Sequence, residues 1–191
     1  MPMYRRAFEP GGTFFFTVVT CNRQQILCNE AARACLREAM SETRAELPFE
    51  MLGVVLLRDH LHCLWQLPED ESDFSTRWGH IKRLFTRRWK AIGGSQEVVS
   101  SSRQRHREAG VWQRRFWEHT IGDDDDLVRH LDYVHYNPVK HGVAGCPHAW
   151  PYSSFRRWVE QKRYAFDWQC NCGDSVPEAL DFTGLDESTM E

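Results

Sequence analysis

The sequence predicts an α+β domain in which helices pack on an antiparallel sheet. Three observations carry that expectation. Short runs rich in β-branched and aromatic residues read as strands. Two longer stretches place apolar residues at helical spacing. The two kinds alternate as strand–helix–strand–strand–helix–strand–helix, the order of a ferredoxin-like or RRM-like layer. Such a topology hosts many chemistries, so the function has to be read from particular residues.

The elements follow in order. "GGTFFFTVVT" (11–20) is a strand entered through two glycines. "EAARACLREAMSETRAEL" (30–47) sets Ala34, Leu36, Ala39, Met40 and Leu47 near helical spacing, and Pro48 stops it. "FEMLGVVLL" (49–57) is a second strand, and a tight turn at Arg58-Asp59 leads into a third, "HLHCLWQLP" (60–68). "FSTRWGHIKRLFTRRWKAI" (74–92) is an amphipathic helix with Trp78, Ile81, Leu84, Phe85 and Trp89 on one side and a basic opposite side. The polar "GGSQEVVSSSRQRHREAG" (93–110) is a loop, and "VWQRRFWEHTI" (111–121) is the fourth strand. "DDDDLVRHLDYVHYNP" (123–138) opens with carboxylates suited to a helix N-terminus and is expected to end at Pro138.

Composition sets the bounds. Of 191 residues, 41% are hydrophobic, with eight Trp and eleven Phe, enough to build a core. One domain over 1–165 followed by an acidic tail over 166–191 is expected, without internal repeats. No apolar run approaches the roughly 20 residues that span a bilayer, and the N-terminus lacks a signal-peptide cleavage site, so a cytoplasmic protein is expected. The seven cysteines include no CxxC pair, which argues against a disulfide framework. Cys170 and Cys172 form a lone CxC; structural zinc is not expected there, because no second ligand pair is evident.

The net charge of −3 hides an asymmetry. Residues 77–115 hold eleven Lys and Arg against two Glu, whereas residues 167–191 hold seven acidic side chains and no basic one. A basic run is often a solvated helix face, but it also suits a polyanionic partner. If the tail competes with such a partner for the basic surface, deleting it should tighten binding.

The stretch with most chemical content is "DHLHCLWQLP" (59–68). On a strand, residues i and i+2 share a face, so His60 and His62 project side by side while Leu61, Cys63, Trp65 and Leu67 form the apolar face. In "LDYVHYNPVKHG", Tyr133 and Asn137 are four apart, one helical turn. Together these offer two imidazoles, an amide oxygen and a phenol. An incomplete ligand set of this kind suits a catalytic ion with open positions, and its composition accepts Mg2+ or Mn2+.

On these residues the sequence resembles the REP-associated tyrosine transposases, within the HUH-type single-tyrosine transposases. The resemblance runs from "YRR" (4–6) and "GGTFFFTV" (11–18) through "DHLHCLWQLP", "FSTRWGHIK" (74–82), "RFWEHTI" (115–121) and "YVHYNPVKHG" (133–142) to "WPYSSF" (150–155). It implies an HUH endonuclease fold and a divalent metal held by His60, His62 and Asn137. It also implies a nucleophilic Tyr133 that cleaves and rejoins single-stranded DNA at REP-type hairpins through a 5′-phosphotyrosine. Tyr136 is the rival nucleophile, but its partner four residues on is Lys140, whose ammonium cannot ligate. Phosphate contacts are expected from Lys82, Arg83, Arg87, Arg88 and Lys90 on the basic helix, from Arg114 and Arg115, and from Arg5 and Arg6, which resemble the family's N-terminal basic motif. Trp117, Trp150 and Tyr152 are either base-stacking or core aromatics.

Forming a phenolate at pH 7 from a phenol of ordinary acidity costs on the order of 4 kcal/mol, so the site must stabilise it. Other readings remain: a non-catalytic hairpin binder, an RNA-binding sheet (which lacks its expected aromatic motif) and a relaxase or replication initiator. A monomer or a homodimer fits equally.

Overall fold

The structure is a computed structural model that describes residues 9–98 and 109–172, together with 179, 180, 182 and 185. Strand β1 (Thr13–Val19) is followed by helix α1 (Glu30–Glu46), the hairpin β2 (Glu50–Leu56) and β3 (His60–Gln66), and helix α2 (Phe74–Ala91). Edge strand β4 (Trp117–Thr120), helix α3 (Asp124–Lys140) and the short α4 (Phe155–Glu160) complete the order. The four strands form one sheet in the order β2-β3-β1-β4, with antiparallel pairing at every step. This is the ferredoxin-like arrangement the alternation of elements predicts.

The period of β1 shows how the layers are assigned. Phe14, Phe16 and Val18 point to one face and join the core made with Trp78, Ile81 and Phe85 of α2 and with Leu36 and Ala39 of α1. Phe15 points to the other face and packs with Leu64, Leu131, Tyr133 and Val134 beneath α3. Helices therefore cover both faces. β3 carries Leu61, Cys63 and Trp65 toward α1 and α2, and its remaining residues toward α3. The histidine-bearing face is buried: His60 is 2% exposed and His62 0%.

Helix ends follow capping chemistry. The Asn29 side chain accepts from the amides of Ala31 and Ala32, Asp73 accepts from Thr76 and Asp123 from Asp126. Asp124, Asp125 and Asp126 occupy the positive end of α3. Its other end departs from expectation. Pro138 does not stop the helix, which runs on to Lys140, and the His141 amide donates to Asn137 O at 3.0 Å. Proline so near a C-terminus forfeits one backbone bond and leaves the last turn to close behind it.

The fourth strand is shorter than the run 111–121 suggested. Trp112 bridges Thr20, but regular pairing begins only at Trp117. Between them the Gln113 carbonyl is taken by Lys82 Nζ at 2.9 Å. The disulfide expectation also needs correcting. Cys146 and Cys170 are bonded Sγ to Sγ across 24 residues, a pairing that no short spacing betrays. Residues expected in a loose tail contribute packing: Trp168 stacks on Phe155 with ring centroids 5.9 Å apart, and Phe182 and Leu185 enter the core beneath α3. The ambiguous aromatics are packed too. The indole of Trp150 donates to Leu56 O, and the Trp117 ring abuts Phe15, while Tyr152 lies against the α1/α2 core.

On the outer side of α3, His135 is enclosed by the rings of Phe155, Trp158 and Tyr164. Burial, reinforced by the Arg157 guanidinium, pushes its pKa from 6.5 down to about 3. A histidine neutral when folded but protonatable when unfolded makes the unfolded state bind the extra proton, so stability falls as pH drops below the unfolded value. Chemical denaturation at successive pH values should show a loss approaching about 1.4 kcal/mol per unit between roughly pH 6 and 4 from this group. His130, also held below its ordinary value by burial, adds to it with the same sign. His135→Gln should remove most of the His135 part; an unchanged slope would contradict the assignment.

Candidate active site

The turn between β2 and β3 prepares the first histidine. His60 Nδ1 donates to Asp59 Oδ1 at 2.7 Å, and Asp59 Oδ2 receives Arg23 Nη1 at 3.1 Å. Burial raises the pKa of Asp59, but the bonds from His60 and Arg23 outweigh it and hold the carboxyl below its ordinary value. A carboxylate at Nδ1 fixes the tautomer, leaving the lone pair of the neutral ring on Nε2. This is how a protein commonly orients a metal-binding imidazole.

His62 stands opposite Thr17 on β1, and its Nδ1 lies 2.9 Å from Thr17 Oγ1. The two imidazole centroids are 4.9 Å apart, and the His141 ring sits 5.3 Å from His60. Helix α3 crosses above them. The Tyr133 ring meets His62 edge-on at 5.3 Å and Phe15 at 5.9 Å. Asn137, one turn further along, is 0% exposed. Lys140 Nζ donates to Tyr133 Oη at 3.2 Å and lies 4.8 Å from the ring centre. The structure thus brings His60, His62 and Tyr133 together on one side of the sheet, with Asn137 buried on the same helix.

The expected phosphate-binding residues are not gathered there. Helix α2 lies on the opposite layer, where Arg83, Arg87 and Lys90 are exposed. Arg88 is committed to α1, with Nε on Glu38 at 3.0 Å and Nη2 on Glu42, and Lys82 is bonded to Gln113 O and lies over Phe116. Arg77, which swelled the basic count, is buried against Pro48 O and Asp73 O. Arg114 and Arg115 are exposed at the approach to β4. Arg5 and Arg6 lie outside the described residues.

Several neighbours escaped the sequence reading. Asp59 read as a turn residue, though its place directly before the histidine pair was the available signal. Lys140 is seven residues, two helical turns, beyond Tyr133, a relation hidden while the helix was expected to end at Pro138. Phe182 could not be foreseen: its ring meets Tyr133 edge-on at 5.2 Å and Tyr136 at 5.9 Å from far along the chain. A second imidazole group, His119, Asp126 and His130, has its candidate ligand atoms within 4.8 Å of one another. Its carboxylate is occupied, with Oδ2 2.8 Å from His119 Nε2 and accepting the Gly122 amide at 3.0 Å, so it acts as a strut between β4 and α3.

A βαββαβ sheet with paired imidazoles on a central strand and a tyrosine on the covering helix defines the single-tyrosine class of HUH-type proteins. The chain belongs to the transposase family described as "Transposase IS200 like", whose sequence profile matches residues 13–137 and so takes in His60, His62, Tyr133 and Asn137. It is 40% identical over 168 residues to the REP-associated tyrosine transposase of Escherichia coli K12, covering 88% of this chain and 91% of that one. A Haemophilus influenzae protein named for the same group is 43% identical over 171 residues, covering 90% of this chain and 95% of its own length. Among solved structures, a REP-associated tyrosine transposase bound to a REP hairpin superposes with a TM-score of 0.74 at 38% identity, covering 95% of this chain and 99% of the other. The resemblance seen in the sequence blocks is therefore borne out over nearly the whole chain.

Proposed function

We propose that the protein cleaves and rejoins single-stranded DNA at REP-type hairpins, with Tyr133 as nucleophile. The observation that carries this reading is the placement of the Tyr133 phenol over the His60–His62 pair with the Lys140 ammonium on its oxygen. Tyr133 Oη attacks the scissile phosphorus, the 3′-oxygen departs and takes up a proton, and a 5′-phosphotyrosine holds the downstream strand. A second 3′-hydroxyl reverses the exchange, so the bond energy is conserved without nucleotide hydrolysis. Lys140 favours the developing phenolate through its positive charge, and the buried rings of Phe15 and His62 fix the plane of the phenol.

His60, His62 and Asn137 are the residues that would hold a Mg2+ or Mn2+ ion. They fit one: the imidazoles are adjacent, Asp59 fixes the His60 tautomer, and the buried Asn137 on the covering helix adds an amide oxygen to a mixed nitrogen and oxygen set with open positions. An ion held by these residues would supply Lewis-acid polarisation of the scissile phosphate and of the leaving oxygen. The exposed cations Arg83, Arg87, Lys90, Arg114 and Arg115, with Arg5 and Arg6, are the candidates for gripping flanking DNA away from the reaction centre. The cytoplasm is the compartment such a substrate requires, and a monomer or homodimer both suit the site.

The test uses a REP-type hairpin with a single-stranded flank, labelled at its 3′ end, incubated with the protein and Mn2+. Label should migrate with the denatured protein, and digestion should place it on the peptide containing Tyr133. Hairpin binding without any adduct would mean a binder that cuts nothing.

Tyr133 is 0% exposed and the Phe182 ring lies edge-on against it at 5.2 Å, so displacement of that ring would open a way to the phenol. The contact is apolar, made by Phe182 with Leu180 and Leu185 nearby. Removing a buried Phe weakens such closure by about 2 kcal/mol. Phe182→Ala should therefore raise the initial rate of adduct formation by about 30-fold where opening limits the reaction; an unchanged or lower rate would show that Phe182 does not gate the tyrosine.

A further inference from the structure

Away from the tyrosine, three sulfurs and an imidazole converge between the loop after α3 and the segment after α4. Cys146 is 1% exposed and bonded to Cys170, with Cα atoms 4.3 Å apart. The Sγ of Cys172 lies 2.9 Å from that of Cys146. Candidate ligand atoms of Cys146, His148 and Cys170 all lie within 4.8 Å of one another. The backbone is shaped to this meeting: the Asn171 amide donates to Gly145 O at 2.8 Å, and a Cβ at position 145 would stand 2.8 Å from Cys172 Sγ. Gly145 thus leaves room for the third sulfur.

His148 is oriented as a ligand is. Its Nδ1 is 3.0 Å from Phe166 O and its ring stacks on Phe166 at 4.1 Å. A carbonyl only accepts, so Nδ1 carries the hydrogen and Nε2 the lone pair. A disulfide accounts for two of the three sulfurs and leaves both Cys172 and His148 unexplained.

We propose that Cys146, His148, Cys170 and Cys172 form a structural Zn2+ site in the reduced protein. Three thiolates and one imidazole make a closed tetrahedral set of the soft kind that selects zinc, with no position left for substrate. The lone CxC thus finds its second pair in Cys-x-His upstream, a partner that cysteine spacing alone does not reveal. The disulfide and the metal site exclude each other, because bonded sulfurs have no thiolate to offer. A cellular dithiol delivers two electrons and two protons to the Cys146–Cys170 bond and is itself oxidised to a disulfide. Zn2+ then displaces the protons of all three thiols to solvent. The ion joins the end of the path from α3 to the start of the segment that carries Phe182.

The experiment uses the full chain prepared anaerobically with reductant. Bound zinc should amount to one equivalent, be released by a mercurial thiol reagent and persist in a His60→Ala/His62→Ala variant. Co2+ in place of zinc should give tetrahedral d–d bands with thiolate charge transfer, which the sulfur-free His60/His62 site cannot produce. Cys172→Ser and His148→Ala should each weaken Co2+ binding by more than about 100-fold, beyond the effect of a lost outer-shell partner, whereas Cys28→Ser should leave it unchanged. Reduced wild-type protein without thiolate–cobalt bands, or bands equally strong in both ligand variants, would overturn the site.

Discussion

Tyr133→Phe is expected to abolish adduct formation and strand cleavage, with the rate falling by more than about 10^4-fold, as removal of a nucleophile does elsewhere. The substitution deletes one oxygen and its bond from Lys140, while the ring keeps its contacts with Phe15, His62 and Phe182. Folding stability should therefore fall by only about 1 kcal/mol, the net worth of one hydrogen bond, and hairpin affinity should stay close to wild type. Quenched time courses on the labelled hairpin measure the first quantity, and band shifts without metal the second. Tyr136→Phe is the informative companion. Tyr136 lies near Phe182 and is not the ring that lies against His62, so it should retain most activity. Should Tyr136→Phe prove the inactive variant, the nucleophile has been assigned to the wrong tyrosine.

Lys140→Ala makes the electrostatic part of the argument separable. It removes the charge beside the phenol oxygen but leaves the Tyr133 hydroxyl in place. The rate should drop by roughly 10^2-fold, typical of a lost transition-state donor. A more alkaline pH should restore part of it, as hydroxide does the work of the missing cation.

How much of this was legible depends on how local the information is. The sheet order follows from β1, whose alternating Phe14, Phe15 and Phe16 feed two cores, and from a hairpin tight enough to read at Arg58-Asp59. The His60–His62 face and the Tyr133–Asn137 spacing are also local, set by strand and helix periods, and the structure sets Tyr133 against His62 with Asn137 buried one turn further along. What failed needed contacts across the chain. The basic side of α2 could be seen, but not that it faces away from the tyrosine, because the layer a helix joins depends on the handedness of its crossover. Nor could sequence show that Arg88 is spent on Glu38 and Glu42. Pro138 misled because the rule for proline concerns helix interiors, and here the helix had only two residues left. Phe182 and the partners of Cys172 lie beyond any local period.

Replacing His60 and His62 together by glutamine should lower cleavage by about 10^3-fold or more if, as proposed, they hold the ion. Glutamine keeps a polar group under α3, so the loss should not be one of folding; the denaturation midpoint of the variant checks this. A chelator should reproduce the effect in wild-type protein, and added Mn2+ should reverse it there but not in the variant. Asp59→Asn separates binding of the ion from the chemistry. Asp59 touches no reacting atom in this reading; it holds the His60 ring through Nδ1. Weakening that hold should raise the Mn2+ concentration for half-maximal cleavage by about 10- to 100-fold while leaving the rate at saturating metal near wild type, the signature of an outer-shell partner. Undiminished cleavage by the wild type in excess chelator would remove the ion from the reaction, and with it the reason for burying two imidazoles beneath a tyrosine.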